Sequence, residues 1–125
     1  PDLTCWLLYF GNLAWTVAYD TQYAITDRVY DLKIGVKSTA ILFGKYDIEI
    51  ISLLQAASVL LIGAALFREA LLVPFGLMAL LVVVTDFIYQ WTKTKDRNPQ
   101  LCFWAFRHNR WVGLIIFAGI FIALL

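Results

Sequence analysis

The sequence predicts an all-α membrane protein, a bundle of transmembrane helices, and three observations lead to that fold class. Of the 125 residues, 62% are hydrophobic and only 15% are charged, whereas an average soluble domain is about 45–50% apolar and about 25% charged. A small soluble domain buries only about two-thirds of its surface, so this excess of apolar side chains indicates a bilayer. The charges also fall between long charge-free runs. We predict helices for these runs because lipid offers no hydrogen-bond partner to exposed backbone groups.

Four apolar runs predict about four spanning helices. The first two cover residues 3–19 and 50–67, close to the length of roughly 17–25 residues that crosses a membrane. The third, 70–85, reaches this length if it continues to Trp91, and the fourth, 111–125, if it begins near Phe106. Arg68 and Glu69 form a short turn between the second and third. We treat residues 1–125 as a single membrane domain and, because it starts with Pro1, as the later part of a longer protein.

The distribution of basic residues predicts the orientation. Two polar stretches, 26–49 and 93–110, are separated by two helices and should therefore emerge on the same face of the membrane. They contain nine basic residues, against Arg68 alone on the other face. Loops rich in Lys and Arg stay in the cytoplasm, so we predict a multi-pass protein whose loop faces the cytoplasm. Membrane lipid is its expected surrounding, and a net charge of +1 gives no reason to expect a nucleic-acid partner.

Residues 20–47, the motif helix and loop, contain the candidate chemistry. Asp20, Asp27 and Asp31 are spaced by seven and four residues, which places them on one helical face. Carboxylates in a membrane helix usually face a cavity or a partner, and clustered carboxylates suit Mg²⁺ that bridges to substrate phosphates. Basic residues that could hold phosphate oxygens follow: Arg28, Lys33 and Lys37.

This pattern fits a diphosphate with an apolar tail, but the spacing alone leaves another interpretation open and favours it. Charged loops between membrane helices are common, and their acidic and basic residues often pair only with each other. Beyond the aspartates, Ser38 or Thr39 is a candidate cap for a short helix over residues 40–43.

Longer runs of sequence carry a resemblance to a known family. They read YDTQYA at 19–24, DRVYD at 27–31 and IGVKSTAILFG at 34–44. Together they resemble the second aspartate-rich motif of the UbiA family of membrane prenyltransferases. The segment CFWAFRHNRWVGL at 102–114 is similar to the region before the last helix of that family, so the resemblance covers essentially the whole chain.

The resemblance implies a bundle of nine spanning helices around a central cavity, of which this chain supplies about four. It implies Mg²⁺-dependent transfer of a polyprenyl group from polyprenyl diphosphate to the ring of 4-hydroxybenzoate, in ubiquinone biosynthesis at a bacterial inner membrane. Asp27 and Asp31 would then be the catalytic metal ligands, with Asp20 and Tyr23 lining the cavity. The diphosphate would be contacted by basic residues of the same loop: Arg28, Lys33 and Lys37.

Two departures from the family pattern affect these expectations. The motif usually reads D-R-x-D-D, and here Tyr30 replaces its fourth residue, which we expect to weaken or reshape metal binding. The first aspartate-rich motif, of the N-D-x-x-D type, does not occur in these 125 residues, so we expect them to be inactive alone. The alternatives are a prenyltransferase for another aromatic or tetrapyrrole acceptor, and a non-catalytic membrane scaffold or transporter fragment.

Overall fold

The chain forms four long helices joined by short turns and one longer connection. The structure is a computed structural model that describes residues 2–27, 35, 38–70 and 72–124. Within these residues it is all helical, which confirms the predicted fold class. The long helices are α1 (Leu3–Thr26), α3 (Asp47–Arg68), α4 (Leu77–Thr94) and α5 (Pro99–Leu124). The short helix α2 (Thr39–Phe43) and a 3-10 turn (Gly44–Tyr46) precede α3, and a π-helical turn (Leu72–Gly76) precedes α4.

The long helices overlap the four predicted runs, and each extends further into the polar sequence at one end or both. The third run was predicted to begin at residue 70, but α4 begins at Leu77, because the residues before it form a π-helical turn that contains Pro74. Within the described residues, two segments are long and apolar enough to cross a membrane, Ala40–Arg68 and Pro74–Thr94. α1 and α5 are longer than 20 residues but are not among these two segments. The prediction of four helices is therefore confirmed, while length and hydropathy alone identify two of them as spans.

Side-chain caps define where two helices begin. The carboxylate of Asp2 accepts a hydrogen bond from the backbone N–H of Cys5 at 3.1 Å, as an N-cap residue does. That hydrogen bond is the main cause of a lowered pKa for Asp2. At α2, the Ser38 hydroxyl accepts from the backbone N–H of Ile41 at 3.3 Å, which confirms the predicted cap.

One end of the bundle joins the two long polar stretches. The Arg97 guanidinium, in the turn between α4 and α5, donates to the Asp47 carboxylate at the start of α3 at 2.8 Å. It also donates to the backbone carbonyl of Lys45 at 2.9 Å. The Thr26 hydroxyl, at the end of α1, donates to the carbonyl of Pro99 at 3.2 Å. These contacts confirm that both polar stretches lie at the same end.

The opposite end is closed by the turn after α3. The Thr4 hydroxyl donates to the Glu69 carboxylate at 2.7 Å, and Arg68 Nε donates to the same hydroxyl at 3.2 Å. This small polar cluster connects the first turn of α1 to the α3–α4 connection. Much of the interior between the two ends is filled by apolar side chains of α3, α4 and α5, among them Ile62, Leu66, Leu80, Val83, Phe87 and Val112.

Candidate functional site

Three predicted site residues share one face of α1 near its C-terminal end. At about 100° per residue, Asp20, Tyr23 and Asp27 lie within about 60° of one another around the helix axis. Asp20 is exposed, Tyr23 is 42% exposed and Asp27 is half-buried. We call this the motif face. It is turned away from the buried interior of the four long helices.

Asp27 marks the point where α1 ends. Its backbone N–H donates to the carbonyls of Ala24 and Ile25, which leaves the residue at the helix cap. Its carboxylate makes no hydrogen bond or ion pair with any residue that the structure describes. The predicted helical spacing is thus observed as far as Asp27. The other predicted ligands and the substituted motif position lie outside the described residues: Arg28, Tyr30, Asp31, Lys33 and Lys37.

The described part of the motif supplies one candidate ligand for a divalent cation, the carboxylate of Asp27. Among the described residues, no three His, Cys, Asp or Glu side chains converge on a common point. Asp20 and Asp27 are about two turns apart, roughly 10 Å along the axis, whereas Mg²⁺ binds its oxygen ligands at about 2.0–2.1 Å. They cannot chelate one ion together. The oxygen chemistry of Asp27 suits a hard cation, and Asp31 remains the predicted second ligand.

Aromatic rings line the boundary between the motif face and α5. The Tyr23 ring lies 4.9 Å from the Phe106 ring and 6.0 Å from the Phe103 ring, measured between centroids. One turn earlier on α1, Tyr19 contacts Phe106 at 5.9 Å and Trp15 at 5.2 Å. The carboxylates of the motif face therefore lie beside an apolar, aromatic wall.

A buried network of side-chain amides lies behind the motif face, and the sequence interpretation did not identify it. Each of the four long helices supplies one amide, from Gln22, Gln55, Gln90 and Asn109, and none is more than 5% exposed. Gln90 Oε1 accepts from Gln22 Nε2 at 2.9 Å and from Gln55 Nε2 at 3.3 Å. Asn109 Nδ2 donates to Gln22 Oε1 at 2.8 Å. Polar side chains that bond across helices stabilise membrane bundles.

The amide network ends in a hydrogen-bond donor on one side and a hydrogen-bond acceptor on the other. At one end, the indole Nε1 of Trp15 donates to Asn109 Oδ1 at 3.0 Å. At the other, Gln90 Nε2 donates to the Asp86 carboxylate at 2.8 Å. The second oxygen of Asp86 lies 2.5 Å from His108 Nε2. An acidic residue inside a membrane helix is thereby satisfied by two partners.

The fold and the site together define an all-helical integral membrane protein with an aspartate motif at the end of one helix. The model of the UbiA prenyltransferase family matches residues 1–124. The chain belongs to this family, as its motifs predicted.

Curated relatives agree with this assignment over nearly the whole chain. A 4-hydroxybenzoate octaprenyltransferase of Acinetobacter baylyi is 78% identical over 123 residues, which cover 98% of this chain and 42% of that protein. Enzymes of the same name from Ectopseudomonas mendocina and Pasteurella multocida are 55% identical over 115 residues and 49% identical over 117. Those matches cover 92% and 94% of this chain, and 38% and 40% of the relatives. The chain thus spans about two-fifths of the length of these relatives. No solved structure matches it.

Proposed function

We propose that the full-length protein carrying this chain transfers a polyprenyl group from polyprenyl diphosphate to 4-hydroxybenzoate, in ubiquinone biosynthesis. The observation that supports this most directly is the carboxylate of Asp27, which lies at the end of α1 without a described partner, in a DRVYD segment. The names of the relatives support both the reaction and the acceptor. Their names also make octaprenyl diphosphate the donor to test first.

Each predicted residue takes a role in this proposal. Asp27 and Asp31 would hold Mg²⁺, which would supply Lewis-acid stabilisation of the diphosphate leaving group when bound. Asp20 and Tyr23 line the cavity next to it. The diphosphate oxygens are held by charge-assisted hydrogen bonds from the basic residues of the loop: Arg28, Lys33 and Lys37.

The reaction needs little acid–base assistance from the protein. The allylic C–O bond of the donor breaks, and its electron pair leaves with the diphosphate. The ring carbon next to the hydroxyl of 4-hydroxybenzoate forms the new C–C bond, and the ring proton is then lost to solvent. The wall formed by Tyr23, Phe103 and Phe106 offers an apolar surface to the prenyl chain.

The orientation belongs to the proposal as well. The end of the bundle that carries Asp27, Asp47 and Arg97 faces the cytoplasm of a bacterial cell, at the inner membrane. The supporting observation is the distribution of basic residues, nine of which belong to the two polar stretches that meet at this end.

The test measures turnover in membranes that contain the full-length protein, with 4-hydroxybenzoate, octaprenyl diphosphate and Mg²⁺. Asp27→Ala is expected to lower the rate at least about 100-fold, since even residues that only support a metal ligand contribute about 10–100-fold. The matched control is Asp96→Ala, which removes an exposed carboxylate at the same end of the bundle.

Equal rates for Asp27→Ala and the unaltered protein would refute the role of Asp27. Turnover of a different acceptor in place of 4-hydroxybenzoate would keep the chemistry and change the substrate. A non-catalytic scaffold would show neither turnover nor Mg²⁺-dependent binding of the diphosphate.

A further inference from the structure

We propose that the amide network sets the rotation of α1 and so aims the motif face, with Gln22 and Asp86 as positioning residues for the diphosphate site. The inference rests on the proposed function for its catalytic consequence. Its geometric content, the orientation of α1 in the bundle, is testable separately.

The two α1 residues in the network lie on one stripe of the helix. Trp15 and Gln22 are seven residues apart and differ by only about 20° around the axis. The motif face is centred about 120° away from this stripe. Gln22 precedes Asp27 by five residues, or about 7.5 Å along the axis. A rotation of α1 that turned Asp27 away from its present direction would therefore break the hydrogen bonds of both Trp15 and Gln22.

The network also has a fixed direction. The Trp15 indole N–H only donates, so the oxygen of Asn109 faces it and the nitrogen of Asn109 faces Gln22. The Gln22 nitrogen then faces Gln90, whose own nitrogen faces Asp86. An ionised carboxylate only accepts, so the two ends require the same orientation of every amide between them. Hydrogen bonds aligned in this way polarise and strengthen one another.

Asp86 is the acceptor on which this direction depends. It lies on α4, opposite α1 across the bundle, and is connected to Gln22 through Gln90. His108 of α5 holds its second oxygen and stacks on Trp104 with ring centroids 4.7 Å apart. Asp86 thus joins α4 to α5 and fixes the orientation of the Gln90 amide, which accepts directly from Gln22 of α1.

Three variants of the full-length protein separate this role from a charge or proton-transfer role. Asp86→Leu and Gln22→Met remove a member of the network without a large change in size. Asp86→Asn retains an oxygen that accepts from Gln90 and offers an N–H to His108, so it retains the network without the charge. We expect the first two to raise the KM for octaprenyl diphosphate and the Mg²⁺ requirement about 10–100-fold, with a smaller change in the KM for 4-hydroxybenzoate. Asp86→Asn should stay close to the unaltered protein.

A cross-linking measurement reports the rotation of α1 without catalysis. Tyr23→Cys and Phe106→Cys are combined in a Cys5→Ser, Cys102→Ala background, because the rings of Tyr23 and Phe106 lie 4.9 Å apart. A short thiol cross-linker should join the pair readily in the otherwise unaltered protein and in Asp86→Asn. The yield should fall in Asp86→Leu and Gln22→Met.

Unchanged cross-linking in both apolar variants would overturn the inference. So would an Asp86→Asn protein that is as impaired as Asp86→Leu, since the charge and not the hydrogen-bond geometry would then matter. If the unaltered protein fails to prenylate 4-hydroxybenzoate, the proposed function fails, and the cross-linking yields still decide whether the network sets the rotation of α1.

Discussion

Arg97 shows at the residue scale how a single side chain holds a strained position. Its backbone φ is +60°, in the left-handed region that costs a non-glycine residue about 1–2 kcal/mol. The residue follows the end of α4, and its N–H donates to the carbonyl of Thr94 at 2.8 Å. Its guanidinium is held by the fully buried carboxylate of Asp47 and the carbonyl of Lys45. The ion pair therefore keeps in place a turn that local sequence preference would not favour.

Truncation of this side chain should destabilise the bundle. We expect Arg97→Ala to lower the free energy of unfolding by about 1.5–3 kcal/mol, the contribution of a hydrogen bond to a charged group. The lower part of that range applies because Arg97 remains 37% exposed. Arg97→Gly should lose about 1 kcal/mol less, because glycine adopts the left-handed conformation without strain. Denaturant unfolding in detergent measures both.

The control for this pair is Lys95→Ala, in the same turn. Lys95 is exposed and lies over the Trp91 ring at 5.2 Å, and surface substitutions of this kind usually stay within about 0.5 kcal/mol. A loss for Arg97→Ala no larger than that of Lys95→Ala would show that the buried Asp47 is satisfied without Arg97.

At the scale of the helices, close packing depends on single glycines. A Cβ built on Gly119 of α5 would lie 2.5 Å from the Ala79 Cβ on α4 and 3.4 Å from the backbone carbonyl of Phe75. Neither atom belongs to a flexible side-chain end. Small residues facing each other are what allow membrane helices to approach this closely.

Gly119→Ala should therefore separate α4 and α5 and cost about 1–3 kcal/mol, the usual penalty of overpacking. The matched substitution is Gly63→Ala on α3, where the nearest atom is the flexible Leu80 Cδ1 at 3.3 Å. There the higher helix propensity of alanine, about 1 kcal/mol, should offset the contact. In thermal unfolding in detergent, Gly63→Ala should have a higher unfolding temperature than Gly119→Ala. The reverse order would show that Gly119 does not limit the packing of α4 against α5.

For the molecule as a whole, the sequence predicted the four helices, the common end of the polar stretches and the shared face of Asp20 and Asp27. Each of these depends on local periodicity or on charge distribution along the chain. The amide network was not predicted because its bonds join distant positions: Trp15 and Asn109 are separated by 94 residues. A lone glutamine in an apolar run, such as Gln55, is a local signal, but it does not identify the partner. The loop assignments beyond Asp27 remain predictions, since they lie outside the described residues.

The orientation of the whole bundle gives the last prediction. Lys45 lies at the end where Arg97 joins the two polar stretches, and Arg68 lies at the opposite end, bonded to Thr4. Lys45→Cys and Arg68→Cys, each in a Cys5→Ser background, therefore report opposite faces of the membrane. Because Lys- and Arg-rich loops are retained in the cytoplasm, a membrane-impermeant thiol reagent should label Arg68→Cys in intact spheroplasts and Lys45→Cys only in inverted vesicles. Neither substitution reverses the charge bias. The two polar stretches contain nine basic residues, the opposite end contains one, and each variant removes a single charge. Labelling of Lys45→Cys from outside the spheroplast would place the aspartate motif on the periplasmic face, and the donor diphosphate would then have to reach it from there.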